Sequence, residues 1–598
     1  MTRLFKYYET ELDYMRRAFT EFEAKHPQTA KTLGVNAGKS SDPDIQRLSD
    51  SLALIAARMT MRMDDTVPEM ALDLTRIISP AFLLGAPSYC PVQVSSSASA
   101  LRELSVIKKG QEISFSQAGE GASCRYMAAA DSTIAPISVS NVKLETSPLA
   151  FETPQTLQDV EAALTFTVST WDAKSSLQAL DMDRLPFYVC APAGRKKRLI
   201  NLLAGEVLAI GIGTEGQKAT HWLKKESLQL SLLNKDYTYL PSTQSGATGF
   251  DRLRNFLAYP DQGAYFELSG LKEALSKLPT GRVSLRLFIG GLAAKNLGDV
   301  ASGDLAGNVI PLVNCYQDKS QPVRYDFARS QVPLKPVSAS KMEAVTLQVS
   351  GIDMLTPTGA VALPAMTTPE RRRNDRGPVW QERHFPKEFD HSRKWVSFSV
   401  PELKGEGESA QLEPLDLVAS LVCSNGSAAT TVRPGTESSF EHKDLSKIPF
   451  YILSEPSLPV FPEDNPEQHW NALSLINANF ASIFEVEDPV KALKEALHLC
   501  APTDFCMAAN AIWAVNMSRS VAPVRVNGAS LLTAGSSIEI ILDLASLPFS
   551  AQVFAVVLHS FLGSFVSYDR FYQLSVRERG KDDPFCVFPR VHGGTVGG

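Results

Sequence analysis

At 598 residues the chain is too long for one hydrophobic core and fits roughly three or four domains. Its 44% hydrophobic and 21% charged composition is that of a folded soluble protein, and a net charge of -6 argues against a chain-wide surface for nucleic acid or anionic membrane. No run approaches the ~18 uninterrupted apolar residues of a membrane span, and Arg3, Lys6 and Glu9 stand where a signal-peptide core would. The expected location is the cytosol. The eight cysteines are scattered without a CxxC pair, which speaks for small buried hydrophobes over a disulfide or zinc framework.

The chain begins with a helical arm, residues 1–87. Tyr8, Leu12, Met15, Phe19 and Phe22 recur at steps of four and three, while Glu9, Glu11, Asp13, Arg16, Arg17, Glu21 and Glu23 fall off that stripe. His26-Pro27 ends this helix, because proline disfavours the α conformation before it and has no N–H to donate. A loop over 34–41 leads to a second helix with Asp42 as N-cap and Pro43 in the first position. Ile45, Leu48, Leu52, Ile55 and Met59 again run at steps of three and four. A third short helix is predicted from about Pro68, carrying Met70, Leu74 and Ile77 before Pro80. The two five-residue stripes are candidate partner contacts. A narrow seam at a chain end suits a bundle with another protein's helices, and packing into the chain's own core accounts for it equally well.

Residues 88–355 read as β-rich and mixed. Val92–Val94, Ile113–Phe115, Ala163–Val168, Val283–Ile289 and Ala344–Val349 are alternating or β-branched runs bounded by turn residues. Helical intervals are predicted over Pro186–Ala204 and Gly249–Tyr259. Strands joined by long connections favour a sandwich or mixed α+β layer over a doubly wound parallel sheet. Residues 356–394, rich in Pro and Arg, read as a linker or loop. Its Arg371, Arg372, Arg373 and Arg376 are the one concentrated basic site: a solvated loop in the plain reading, a carboxylate-binding patch in the functional one.

Residues 395–598 form the last region, with strands at Trp395–Val400, Leu417–Val422 and Ile538–Leu542 and helices at Trp470–Phe484 and Pro489–Leu499. Pro548–Phe565 is apolar enough for a buried helix, in which His559 is a core histidine, with no His or Cys three or four residues on. The fold class is therefore α+β multidomain: an N-terminal helical arm, β-rich mixed domains and a C-terminal α/β domain.

The motif matches fail on context. Gly211-x-Gly213-x-x-Gly216 has the dinucleotide spacing, but the residues after it do not make an apolar helix, so a Gly-rich hairpin turn is expected. Gly34-x-x-x-Gly38-Lys39-Ser40 is one residue short of a P-loop and follows a helix, not a strand. His498, Cys500 and Cys506 lack a fourth metal ligand at a usual spacing. No catalytic residue, cofactor site or metal site is predicted.

Several fragments in fixed order do carry a resemblance. Tyr7-Tyr8-Glu9-x-Glu11-Leu12, Glu21-Phe22 with His26-Pro27, Ser41-Asp42-Pro43 with Arg47-Leu48, Asp64-Asp65-x-x-Pro68-Glu69 and Ser79-Pro80 with Ala86-Pro87-Ser88 resemble the amino-terminal signature of the type VI secretion baseplate family TssF, also called ImpG or VasA. The similarity continues through Phe250-Asp251-x-Leu253, Leu421-Val422-Cys423-Ser424-Asn425-Gly426, Trp470-x-x-Leu473-x-x-Ile476, Val526-Asn527-Gly528 and Leu558-His559-x-Phe561-Leu562. It spans almost the whole chain.

The resemblance implies a non-enzymatic wedge component of a contractile, phage tail-like injection machine. It implies assembly with TssG, two copies of this chain per TssG, and contacts with the second copy, with TssE and TssK and with the spike protein VgrG. It also implies a cytoplasmic baseplate docked to the inner-membrane complex, with no nucleic acid and no direct membrane insertion. In that setting the arm enters a helical bundle with TssG, and the β-rich domains reach neighbouring subunits. The alternatives are a cytosolic nucleotide-binding enzyme using the Gly211 turn and a nucleic-acid-binding protein using the Arg371 loop.

Overall fold

A computed structural model describes residues 2–592, apart from intervals of seven residues or fewer and the longer stretches 232–248, 367–377, 384–393, 400–413 and 439–448. The chain divides into two compact units, Met1–Ser79 with Asn465–Asn477, and Pro80–Asp464 with Ala478–Gly598.

The first unit is helical. Helix α1 spans Thr2–Lys25 and stops before Pro27, which opens a second short helix, α2, over Pro27–Thr32. The sequence predicts a helix that stops at this proline, with no helix directly after it. The missing N–H costs nothing in a first turn, so the same residue that ends one helix starts the next. Val35–Asn36 and Lys39–Ser40 then pair as a two-stranded ribbon where a plain loop was expected.

Helix α3 spans Pro43–Ile78 without interruption. The Asp42 carboxylate caps it, accepting from the amide of Asp44 at 2.9 Å. The separate helix predicted from Pro68 is therefore the last turns of α3. An internal proline costs about 3 kcal/mol, and here helical turns on both sides carry the chain through it. The helix Pro466–Ile476 packs on α3 and buries Ala472, Leu473 and Leu475.

The second unit is built from sheets that are antiparallel among the described residues, with one parallel pair. A six-stranded sheet containing Tyr89–Val94, Val309–Val313 and Ser123–Ala128 encloses a core of Phe115, Tyr126, Ile310, Leu312 and Phe450. A five-stranded sheet centred on Arg282–Gly290 and a four-stranded sheet centred on Arg184–Val189 meet at the ring contact Phe166–Phe187, 5.9 Å between centroids, and within the second sheet Phe187 stacks on Phe266 at 5.7 Å.

The helix predicted to start at Pro186 begins at Ala193, and Pro186 itself lies in a strand. Phe187, Tyr188 and Val189 favour the extended chain. Pairing with Leu305–Gly307 starts only at Phe187, so on that side Pro186 breaks no ladder.

A further five-stranded sheet centred on Leu415–Ser424 faces a three-stranded one, Val332–Leu334, Lys394–Ser399 and Val379–Arg383, across Tyr316, Ile352, Trp380, Val396 and Leu421. The expected linker 356–394 thus contains two strands, Gly359–Leu363 and Val379–Arg383. They are too short to show a period among the surrounding prolines and arginines.

Asn314 ties this sheet to the six-stranded one. Its Nδ2 donates to the carbonyl of Arg125 at 2.9 Å and to Asn425 Oδ1 at 3.0 Å. Its Oδ1 accepts from the Ser424 hydroxyl and the Asn425 amide, both at 2.7 Å. Each bond a buried amide needs is made.

At the carboxyl end, strand Ala529–Leu542 forms a long hairpin with Ile512–Val526 and runs parallel to Phe571–Glu578. The crossover between the parallel strands is the helix Ala551–Gly563, buried as its sequence predicts. It packs on Gly249–Ala258, where Phe250 meets Phe561 and Phe565 edge-on, at 5.2 and 5.1 Å. Gly249 is needed there: a Cβ would collide with the Ser560 carbonyl and the Ser564 hydroxyl. Lys197 donates to the carbonyl of Leu544 at 3.0 Å and Asn201 accepts from the Ser550 hydroxyl at 2.6 Å. Through these contacts the helix Ala193–Asn201 holds the entry to the buried helix.

Candidate helical docking surface

The arm's sequence carries two kinds of stripe on one helix. On α3, Ser49, Ala53 and Ala57 recur every four residues, and with Ala71 and Thr75 they are buried. Small side chains allow helix backbones to approach closely, and both α1 and the helix Pro466–Ile476 pack on α3. Tyr8, Leu12, Met15, Phe19 and Phe22 of α1 are all half-buried. Two side-chain bonds join the helices: the Tyr7 hydroxyl donates to Asp64 Oδ2 at 2.8 Å, and the Thr60 hydroxyl to Glu11 Oε1 at 2.9 Å.

The large apolar stripe of α3 faces away from this contact. Leu48, Leu52, Ile55 and Met59 are exposed, and the row continues through Met63, Met70 and Leu74, with exposures from 40% at Leu74 to 72% at Met63. Ile45, at its start, is half-buried. Of the ten apolar positions singled out from sequence, six therefore sit half-buried, five on α1 and Ile45 on α3, and four lie in the open on α3. The sequence reading did not include Met63, and it placed Met70 and Leu74 on a separate helix. It also passed over the small-residue row, whose regular spacing Ser49, Ala53, Ala57 is a readable signal for the face that meets α1.

Single exposed apolar residues are ordinary, but a contiguous row along one helix marks an interaction surface. Each large side chain buried there contributes on the order of 1.5–3 kcal/mol, so several are sufficient to hold a bundle. Arg47 and Arg58 are exposed on the same helix.

Among the described residues, several groups that could do chemistry are held by neighbouring side chains or backbone. His559 stacks on Phe588 at 4.2 Å, and its Nδ1 lies 2.6 Å from the Tyr572 hydroxyl, which also reaches the His559 carbonyl. One proton on each satisfies both contacts: Nδ1–H donates to the phenol oxygen, and the phenol O–H to the carbonyl. Burial pushes the imidazole down to about 4, so it stays neutral at physiological pH. Lys196 is held by Asp261 and by the Tyr188 hydroxyl at 2.7 Å. His498 Nδ1 accepts from the Cys506 amide at 3.1 Å.

No group of three or more His, Cys, Asp or Glu residues able to hold a metal occurs among the described residues. Among them, no helix is long and apolar enough to cross a membrane.

Gly211 and Gly213 lie in the strand Val207–Gly213, which forms a hairpin with His221–Lys224, as expected, and both neighbouring strands run antiparallel to it; Gly216 lies outside the described residues. A Cβ on Gly211 would press on Trp222 and Phe288, each at 3.2 Å, so this glycine makes room for aromatic packing. Among the described residues the next element is the strand His221–Lys224, where a dinucleotide site needs a helix. Arg371, Arg372, Arg373 and Arg376 lie outside the described residues.

Comparison with known proteins agrees with the resemblance read from the fragments. The family model "Type VI secretion system, TssF" matches residues 1–595. The type VI secretion system component TssF1 of Pseudomonas aeruginosa is 22% identical, with 97% of each chain covered. A chain of the TssK-TssF-TssG baseplate subcomplex shares the fold with a TM-score of 0.72 and 17% identity, covering 92% of this chain and all of that one. A chain of a type VI baseplate complex does so with a TM-score of 0.59 and 17% identity, over 98% of this chain and 99% of that one. A helical unit with an uncovered apolar row, a β-rich unit and a family match over residues 1–595 lead to one conclusion: this chain belongs to the TssF family of the type VI secretion system.

Proposed function

We propose that the chain is a structural subunit of the type VI secretion baseplate and that the outward row on α3 is its docking face for helices of TssG. The observation that carries this reading is the row itself, Leu48, Leu52, Ile55, Met59, Met63, Met70 and Leu74, which the chain's own elements leave exposed. The fold shared with a chain of a TssK-TssF-TssG subcomplex supports TssG as that partner.

Two copies of this chain bind one TssG in this reading. The β-rich unit meets TssK, TssE, the spike protein VgrG and neighbouring wedges, on the cytoplasmic side of the inner-membrane complex. The role is mechanical, without catalysis. Contacts hold the waiting machine and rearrange on firing, so the energy resides in interfaces with two discrete packings.

Co-expression with the TssG homologue of the same bacterium, followed by native mass spectrometry, tests the reading. A mixed complex with two copies of this chain is expected, and Leu52→Asp with Ile55→Asp should abolish it while the β-rich unit still folds. A monodisperse monomer that ignores TssG refutes the subunit role, and an unimpaired complex with the double variant refutes the docking face.

A further inference from the structure

We propose that Met59, Met63 and Met70 form an oxidation site on α3, where conversion to methionine sulfoxide blocks docking and leaves the fold intact. The proposal rests on the reading of the α3 row as a docking face. Thirteen methionines in 598 residues would put fewer than one in a helix of 36, yet α3 carries four, at 59, 61, 63 and 70. Met59, Met63 and Met70 follow one another by four and seven residues, so the helical period of about 3.6 keeps them on one stripe. They are exposed by 65%, 72% and 54%. Among the described residues Met366 and Met507 are the other exposed methionines, whereas Met182 is buried.

The row changes character along the helix. Leu48, Leu52 and Ile55 make up its first half, and methionine dominates the second. Leucine there would offer nearly the same volume to a partner. What the thioether adds is a reaction. Hydrogen peroxide transfers one oxygen atom to the sulfur lone pair: the O–O bond breaks as the S–O bond forms, the proton on the transferred oxygen passes to the departing one, and water leaves. The sulfur gives up two electrons and the peroxide takes them.

The product is polar where the reactant was apolar. In the free chain these side chains stand in water, so the new oxygens are hydrated and no core contact is disturbed. Against a partner helix the same oxygens lose that water without gaining a donor, and an unsatisfied polar group opposes association. Oxidation therefore acts on assembly and spares folding. Docking in turn covers the sulfurs, so the free chain responds to oxidant and the docked chain resists it. Thiol-dependent reduction of the sulfoxide restores the face.

The full-length chain is treated with hydrogen peroxide, its peptides are mapped by mass spectrometry, and its affinity for the TssG homologue is measured by calorimetry before and after. Sulfoxide is expected at Met59, Met63 and Met70 with Met182 spared, an unchanged melting curve, and a Kd raised at least about tenfold. The ratio of the two Kd values is the readout, so a variant's own affinity does not enter it. Met59→Leu, Met63→Leu and Met70→Leu together should bring the ratio close to one, and Met366→Leu with Met507→Leu should leave it as in the parent. Met63→Gln, polar and of similar length, should weaken docking with no oxidant present. In the preformed complex the three row methionines should stay reduced while Met507 is oxidised.

An oxidised chain that binds TssG as tightly as the untreated one overturns the proposal and leaves the docking face standing. Failure of the untreated chain to bind, or oxidation of the row inside the complex, refutes the docking face and this proposal with it. A melting temperature lowered by peroxide assigns the effect to the fold, and a triple leucine variant that still responds assigns it to other residues; either result overturns the site.

Discussion

The helix Ala551–Gly563 buries Val553, Phe554, Val557, Leu558, Phe561 and Leu562 completely, whereas α3 leaves Leu52, Ile55, Met59 and Met63 in the open and buries Ala53 and Ala57. Both are apolar helices of one chain. One is enclosed by strands and by the helix Gly249–Ala258, so its large side chains are already covered. The other meets α1 through its small side chains and keeps its large ones for an outside contact. Residue size decides which face closes locally, because small residues let backbones approach while large ones fill wider gaps. The buried helix therefore reports on folding, and α3 reports on assembly.

The largest test of this contrast is Phe561→Ala, which should cost about 3–5 kcal/mol in chemical denaturation of the isolated chain. Leu52→Ala in the same assay should change stability by no more than about 0.5 kcal/mol. A similar loss for both would place the α3 row inside a core. Next in size, Ala57→Leu should overpack the α1 contact by about 1–3 kcal/mol. Hydrogen exchange of α1 amides should speed up while that of residues 551–563 is unchanged. Ile55→Ala should then leave the melting curve alone and weaken binding to TssG by about 1 kcal/mol or more, roughly fivefold to tenfold in Kd by calorimetry.

The last test reads a slope against pH. His559 is neutral in the folded chain, with its pKa at about 4, and rises towards its ordinary 6.5 on unfolding. The unfolded chain therefore takes up the extra proton between those values. Stability attached to His559 is complete above about pH 6.5 and is lost as pH falls towards 4. Melting temperatures at pH 7.5 and pH 5 should differ less in His559→Gln than in the parent chain. An equal difference would show that His559 does not contribute to the acid limb.

The sequence made the elements legible where one local pattern dominated. The α1 stripe, the Asp42 cap, the buried helix around Leu558 and the strand at Val283–Ile289 each have a single period over enough residues to read. It failed where two patterns share one element or a rule is locally overruled. On α3 the large residues look like the packing seam, and only the row of Ser49, Ala53 and Ala57 tells that the inner face is elsewhere. Pro68 signals a break that the long helix around it overrides. Pro186 hides a strand, and the prolines and arginines of 356–394 hide two more. The Asn314 node was out of reach for a different reason: it joins Arg125 to Ser424 and Asn425, and only the assembled sheets place them together.

All eight cysteines are free thiols, six buried and two half-buried. Burial raises the pKa of every one of them. Since the thiolate is the form that reacts, the native chain offers maleimides and other alkylating probes almost nothing to attack. A cysteine introduced at an exposed position such as Leu52 or Val361 would be labelled against a quiet background. Fluorescent or spin reporters can then be placed one at a time on the helical face or on the strand Gly359–Leu363, without first stripping the parent chain of its own thiols.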